Sequence, residues 1–234
     1  MTRQHGAHLI LLLATAATAQ GCAYLNGNFR AVEEGWLYRS GQLNPAALER
    51  RIEEHSIREV VSLRDPKPKQ SWYRDETRVC EELGVDHYDI PWSMRRLPDP
   101  QSLERLIGVF AGASVPRLIH CHGGVHRSAV ASAVYLLVRG ASVEQARGQI
   151  GPHFNDAPVG QLLDLYEDSG KPFAAWVVED YPGLYAAHPD GGRVGSLQNP
   201  EDVHSHGGPW ERERGGGYPS IRLRRARNSP AETC

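Results

Sequence analysis

The sequence predicts an α/β domain with a mainly parallel central sheet flanked by helices. Short apolar segments typical of buried strands alternate with longer segments whose apolar residues recur at helical spacing. Of the 234 residues, 23% are charged and 40% are hydrophobic, as in an ordinary soluble domain. The 26 basic and 28 acidic residues nearly balance, so bulk charge indicates no nucleic-acid partner. We also expect a monomer.

The predicted elements alternate along the chain, which favours parallel pairing of the strands. Asn44-Pro45 marks a helix start, and Ser142 with Gln145 marks another as a capping box. Two prolines make residues 65–69 a loop. Strands are predicted at 36–39, 59–63, 85–91 and 117–120, and helices at 45–55, 71–83, 99–110, 127–139, from 142 onward, 159–167 and 173–180.

The N-terminus resembles a bacterial lipoprotein export signal. A weakly basic start precedes an apolar stretch that is too short for a permanent membrane span. Ala19-Gln20-Gly21-Cys22 resembles a lipobox, although leucine is commoner where Ala19 stands. We therefore expect a signal peptide over 1–21, lipidation of Cys22 and a protein anchored in the cell envelope. Ordinary signal cleavage near Ala19 is the alternative.

The rest of the chain divides by composition. After a linker at 22–29, the apolar periodicity predicts a folded domain over 30–185. Residues 186–234 are dominated by Gly, Pro, Arg, Ser and His, which predicts a disordered tail. The four cysteines are scattered without a paired spacing, so neither a zinc ribbon nor a disulfide framework is predicted. We interpret Cys80 as a plain buried or half-buried thiol and Cys234 as incidental.

The segment from His120 to Ser128 lies between an apolar strand and an apolar helix. Backbone amides of such a loop converge at a helix N-terminus and bind an oxyanion. Gly123 and Gly124 let the backbone turn closely around the anion, and Arg127 can donate to two of its oxygens. The same positive field lowers the pKa of Cys121, which predicts a thiolate at neutral pH.

Cys121 to Arg127, with Gly124 between them, matches the C-x-x-G-x-x-R signature of protein tyrosine phosphatases. His120 and Ser128 extend the match, and the domain resembles the dual-specificity branch over about residues 30–180. The openings Trp36 to Gln42 and Val60 to Arg64 also resemble compact bacterial and fungal members.

The resemblance implies a role for each matching residue. Cys121 would attack phosphorus, Arg127 would hold the equatorial oxygens, and Ser128 would stabilise the departing thiolate. His120 would orient the loop. No metal or other cofactor is implied. The amides that would line the phosphate cradle belong to His122, Gly123, Gly124, Val125, His126 and Arg127.

The proton donor to the leaving group has three candidates. Asp99 lies in a loop 22 residues before Cys121 and is favoured, although it also suits a helix cap. Asp89 lies inside a predicted strand. His126 stands where related members often carry an aspartate, and an imidazole can donate a proton near neutral pH.

The substrate is predicted to be a phosphorylated protein or a small phosphorylated molecule, such as a phospholipid headgroup or an inositol phosphate. Arg95 and Arg96 either extend the pocket rim or belong to a solvated loop. Two other functions stay open. The first is a phosphate-binding module without catalysis. The second is an envelope interaction protein that works through its tail.

Overall fold

The computed structural model describes residues 27–112 and 114–187. Five strands form one sheet in the order β1-β2-β5-β3-β4: β1 Arg30–Glu33, β2 Leu37–Ser40, β3 Glu59–Ser62, β4 Asp86–Asp89 and β5 Arg117–His120. β1 pairs antiparallel with β2, and all other pairs are parallel. The predicted α/β class with a mainly parallel sheet is therefore confirmed.

Eight α-helices are described in residues 27–112 and 114–187. They are α1 Pro45–Glu54, α2 Ser71–Glu82, α3 Pro100–Ala111, α4 Arg127–Val138, α5 Val143–Arg147, α6 Gln161–Glu167, α7 Phe173–Glu179 and α8 Tyr181–Ala186. The predicted caps are present. Asn44 accepts a hydrogen bond from the Ala47 amide at 2.9 Å, and Ser142 and Gln145 form the reciprocal capping box.

Three parts of the secondary structure differ from the sequence prediction. β1 was not predicted, because only its outer-edge pairing with β2 defines it and its residues are at most half-buried. The predicted helix at 159–167 is divided into a 3-10 turn, Pro158–Gly160, followed by α6. α8 was not predicted because Pro182 and Gly183 obscure its periodicity; Pro182 is tolerated in the first turn.

The two faces of the sheet bury separate apolar clusters. Tyr38, Val60 and Leu118 point to the smaller cluster, which α1 and α2 cover. Leu37, Val61 and Ile119 point to the larger one, which contains α3, α4 and the C-terminal helices. Because successive strand residues alternate between faces, β2, β3 and β5 contribute to both layers. These parallel strands end together, with Ser40 and Ser62 both opposite His120, at the edge where the loop after β5 lies.

The predicted signal peptide at 1–21, the lipidation site Cys22, most of the linker and the tail beyond residue 187 lie outside the described residues. Within those described, no helix is long and apolar enough to cross a membrane. Gly27 and Asn28, which we assigned to the linker, contact the folded domain: the Gly41 amide donates to the Gly27 carbonyl at 2.7 Å.

Candidate active site

The loop from Cys121 to His126 connects β5 directly to α4, as predicted. No side chain caps α4 at His126. In the first turn the Ala129 amide donates to the His126 carbonyl at 3.0 Å, and a backbone hydrogen bond from Ser128 reaches the Cys121 thiol. The outer carbonyls of the loop are held from behind. Asn28 Nδ2 donates to the carbonyls of Gly123 and Gly124 at 3.1 Å each, and the Gln42 amide donates to the His122 carbonyl at 3.0 Å.

Of the two glycines in the loop, only Gly124 is required by the backbone. Its φ is +70°, and a Cβ atom there would lie 2.5 Å from the Gly41 nitrogen. A Cβ atom on Gly123 would meet nothing within 4 Å. The Gly124 amide points inward and donates to Cys121 Sγ at 3.2 Å. The close contact between the backbones of Gly124 and Gly41 thus holds the Gly124 amide in position to donate to the Cys121 sulfur.

Cys121 is 3% exposed, and its sulfur lies 3.5 Å from Ser128 Oγ. Burial raises the pKa of this thiol, but hydrogen bonds from Ser128 and Gly124, together with the charge of Arg127, outweigh it. The pKa of Cys121 therefore lies below its ordinary value. A thiolate at neutral pH stays a prediction, which this direction favours.

Arg127 begins α4, and its guanidinium is held by two backbone carbonyls. Nη1 donates to the carbonyl of Leu63 at 2.8 Å and to that of Trp92 at 3.2 Å. Leu63 directly follows β3 and Trp92 lies shortly after β4, so two neighbouring strand ends fix the guanidinium. Its remaining N–H groups have no hydrogen-bond partner within 27–112 and 114–187, so they can donate to an anion in the cavity.

A cavity of about 620 Å³ opens above Cys121. The structure brings to this cavity the predicted nucleophile Cys121 and five of the six predicted phosphate-binding residues; Gly124 is not among the lining residues. The other lining residues were not predicted as part of the site. The lining comprises Arg64, Asp65, Lys67, Gln70, Trp72, Met94, Cys121, His122, Gly123, Val125, His126 and Arg127.

His120 faces away from the cavity toward α2. Its Nε2 lies 3.2 Å from Glu76 Oε1, and His87 Nε2 lies 2.9 Å from the same oxygen. Burial raises the pKa of Glu76, but His120, with hydrogen bonds from His87 and Gln42, outweighs it and leaves the pKa well below its usual value. A buried carboxylate thus orients the residue before the nucleophile. Sequence reasoning missed Glu76 because it lies 44 residues from His120.

The three candidate proton donors occupy different positions. Asp99 caps α3, accepting from the Ser102 amide at 3.2 Å, and does not line the cavity. Asp89 accepts a hydrogen bond from Tyr73 Oη at 2.5 Å and does not line the cavity either.

His126 does line the cavity. Burial lowers its pKa below the usual value, and the charge of Arg127 adds to this, while a hydrogen bond with the Phe154 carbonyl opposes it. A lowered pKa disfavours the protonated imidazole near pH 7, which weakens His126 as a proton donor to the leaving group. The carboxylate that does line the cavity is that of Asp65, in the loop after β3, a residue that sequence reasoning left out.

The arginines of the loop before α3 do not contribute to the rim. Neither Arg95 nor Arg96 lines the cavity; Met94 of the same loop does. Arg96 instead exerts its charge on Tyr185 of α8. Among the described residues, no group of three or more His, Cys, Asp or Glu side chains is placed to hold a metal ion.

The chain matches the model of a known protein family. A family model described as "PTP-SAK: Swiss Army Knife protein, DSP-PTPase phosphatase domain" matches residues 29–163, more than half of the chain. No curated protein matches the chain.

The chain is also similar to solved structures. The core catalytic domain of the PP-IP phosphatase Siw14 from S. cerevisiae, in complex with citrate, is 20% identical, with a TM-score of 0.50 over 60% of this chain and 86% of that one. P. aeruginosa TpbA in complex with pTyr is 18% identical, with a TM-score of 0.46 over 64% and 92%.

Proposed function

Because the chain belongs to the family of DSP-PTPase phosphatase domains, we propose that it hydrolyses phosphate monoesters through a cysteinyl-phosphate intermediate. The observation that carries this proposal is the setting of Cys121. Its sulfur accepts a hydrogen bond from the Gly124 amide at 3.2 Å, its pKa is lowered, and it shares one cavity with Arg127. One loop therefore supplies both a nucleophile and an anion seat.

In the first step, the Cys121 thiolate attacks phosphorus while the bond from phosphorus to the leaving oxygen breaks. The free N–H groups of Arg127 and the inward amides of the loop hold the other phosphate oxygens through this step. In the second step, water attacks phosphorus and the bond from sulfur to phosphorus breaks. Ser128 Oγ, 3.5 Å from the sulfur, stabilises the thiolate that leaves.

We assign the proton donation to Asp65 in preference to Asp99. Asp65 is exposed and lines the cavity beside Arg64. Asp99 would have to give up its cap on α3, at a cost of about 1 kcal/mol, before it reached the leaving oxygen. In the reverse role, the same carboxylate would take a proton from the attacking water in the second step.

The donor is tested with aryl phosphates whose leaving groups span a range of pKa values. If Asp65 donates the proton, Asp65→Asn slows poor leaving groups far more than good ones, because good ones depart unprotonated. Asp99→Asn serves as the matched control and should leave this dependence unchanged. A steeper dependence in Asp99→Asn alone would return the role to Asp99.

The enzyme activity itself is tested with p-nitrophenyl phosphate between pH 5 and 8. We expect turnover by the wild type and its loss, by more than about 10³-fold, in Cys121→Ser. Phosphate binding by the variant shows that the site stays folded. Wild-type protein without turnover that depends on Cys121 would contradict the proposal.

The second candidate is a phosphate-binding module without catalysis. It is favoured by the contacts that engage two of the three predicted proton donors outside the cavity, Asp99 with Ser102 and Asp89 with Tyr73. This module should bind inorganic phosphate in calorimetry and show no detectable turnover, and Asp65→Asn should not change its phosphate affinity. That combination would select the binding module over the enzyme.

Anchoring in the cell envelope through Cys22 is a separate part of the proposal. It is supported by the lipobox-like Ala19-Gln20-Gly21-Cys22 after a short apolar stretch. Labelled palmitate should enter the full-length protein in cells and should be lost in Cys22→Ala. Label retained by that variant would exclude lipidation at this residue. The phosphatase proposal does not depend on the outcome.

A further inference from the structure

A second guanidinium faces the cavity beside Arg127. Arg64 follows β3 by two residues, is half-buried and lines the same cavity as Cys121. Its guanidinium carbon lies 3.4 Å from the ring centroid of Trp72, and Nη1 donates to Gln42 Oε1 at 2.6 Å. An arginine stacked on one face and bonded at one nitrogen is held in place before any ligand arrives.

A hydrogen-bonded chain connects this arginine to the base of the phosphate loop. Gln42 accepts from Arg64 through Oε1 and donates through Nε2 to Glu76. Glu76, which is 4% exposed, in turn contacts His120, the residue before Cys121. Because this series of hydrogen bonds includes the buried carboxylate of Glu76, it restrains the Arg64 guanidinium against movement.

The free donors of Arg64 have no partner among the described residues. Its one hydrogen bond is that from Nη1 to Gln42. Arg127, by contrast, already uses Nη1 on two backbone carbonyls. The half-buried position lowers the pKa of Arg64 through desolvation, and Arg127 adds to this, while nearby carboxylates and Cys121 oppose it.

The cavity carries more cationic side chains than the seat for one phosphoryl group uses. The loop amides and Arg127 form that seat, and Arg64 and Lys67 line the same cavity as further cations, beside the carboxylate of Asp65 and the thiolate proposed at Cys121. The volume of about 620 Å³ also leaves room beyond one phosphate. An unpaired, preorganised guanidinium at this place matches a second anion with several oxygen acceptors.

We infer that Arg64 binds a second phosphoryl group of the substrate, next to the one that Cys121 attacks. The inference rests on the proposed function for the identity of the first seat. The substrate is thus a small molecule with two phosphoryl groups close together, joined either as a diphosphate or through neighbouring ester oxygens. Gln42 and Glu76 act as positioning residues for this second seat.

Binding to the full-length Cys121→Ser protein tests the inference without requiring turnover. Inorganic pyrophosphate and inorganic phosphate are titrated by calorimetry. We expect pyrophosphate to bind at least about 10-fold more tightly than phosphate, because it occupies both guanidinium groups. Addition of Arg64→Gln should reduce this preference to less than about 2-fold, whereas Arg78→Gln, which removes an exposed charge of α2 outside the cavity, should preserve it.

Two outcomes would overturn the inference. One is equal affinity for the two anions in the protein that retains Arg64. The other is a pyrophosphate preference that Arg64→Gln leaves intact. Binding of inorganic phosphate by the Arg64→Gln protein shows that the first seat is folded. Failure of the proposed function would appear instead as absent turnover in the wild type.

Further titrations separate substrate classes. An acidic phosphopeptide is compared with its counterpart that carries glutamine for glutamate. If Arg64→Gln changes the ratio of these two affinities but not the pyrophosphate preference, the second seat binds a carboxylate and the phosphoryl inference is wrong. The affinity for a diphosphate is then compared with that for a compound that carries two phosphates on neighbouring ester oxygens, with the same variants. This comparison distinguishes the two forms of the substrate.

Discussion

Two cysteines of this domain are almost equally buried and differ in their acid–base chemistry. Cys80 on α2 is 1% exposed and Cys121 after β5 is 3% exposed. Burial raises the pKa of Cys80 to about 12, and the charge of Glu76 adds to this. Burial also raises the pKa of Cys121, yet donors from Ser128 and Gly124 and the charge of Arg127 bring it below its ordinary value.

The contrast shows that the surroundings of a buried thiol, and not its exposure, decide whether it can react. Cys80 lies near the end of α2 and senses a carboxylate, while Cys121 precedes the N-terminus of α4, where amides converge. The groups that lower the pKa of Cys121 belong to three separate residues of the loop and of the first turn of α4. The side chains of Ser128 and Arg127 can therefore be replaced one at a time to measure the share of each.

The largest effect is expected for the reactivity of the two thiols. Iodoacetamide at pH 7 should alkylate Cys121 at least about 10³-fold faster than Cys80, because the thiolate is the nucleophile. Peptide mass spectrometry separates these sites from Cys22 and Cys234. Added phosphate should slow the reaction at Cys121 alone. Similar rates at both thiols would contradict the comparison.

Next in size is the loss of the Arg127 guanidinium. Arg127→Lys keeps a positive charge but cannot bond two carbonyls and still present a fork to phosphate. We expect kcat/KM for p-nitrophenyl phosphate to fall by about 10²–10³-fold. Arg78→Lys, outside the cavity, is the control. A fall in kcat/KM of less than about 5-fold would show that positive charge alone suffices. It would contradict the role given to the guanidinium that the Leu63 and Trp92 carbonyls position.

Gly124→Ala should destabilise the folded protein by about 2 kcal/mol, because a side chain at φ +70° would also collide with the backbone of Gly41. Gly123→Ala is the matched control, since nothing lies within 4 Å of its Cβ position; its change should stay within about 0.5 kcal/mol. Urea unfolding measures both. Equal losses would contradict the distinction between the glycines.

The smallest effect is expected for Ser128→Ala. Hydrogen bonds from Ser128 lower the pKa of Cys121, so their weakening raises that pKa and moves the acid limb of the alkylation profile to higher pH. The expected shift is about one unit, since a hydrogen bond to a charged group contributes about 1.5 kcal/mol. Ser132→Ala, which removes a bond to the Ser128 carbonyl and none to the thiol, should shift it less.

The loop at Cys121 could be predicted because its chemistry is local. Strand, nucleophile, glycine, arginine and helix follow one another within about a dozen residues, and their order alone defines the anion seat. The sheet could be predicted for a similar reason, since each buried strand is a short apolar run bounded by turn residues. β1 fails this test and is recognisable only by its pairing with β2.

The remainder of the site depends on contacts across the chain. Arg64 and Asp65 begin a loop rich in proline and lysine that reads as solvated, and only the fold turns it over the cavity. Glu76 looks like one of several acidic residues on α2, although the fold buries it against His120 and His87. Asp99 had two sequence interpretations, and the structure shows it in the capping position.

The contacts behind the phosphate loop mean that it is not a portable module. Its carbonyls depend on Asn28 and Gln42, and its tightest turn depends on the backbone of Gly41, which in turn is fastened to Gly27. Residues 120–128 transferred to another protein would lose these hydrogen bonds and this backbone contact. The smallest working version of this domain must therefore begin no later than Gly27, two positions ahead of the segment shared with the family.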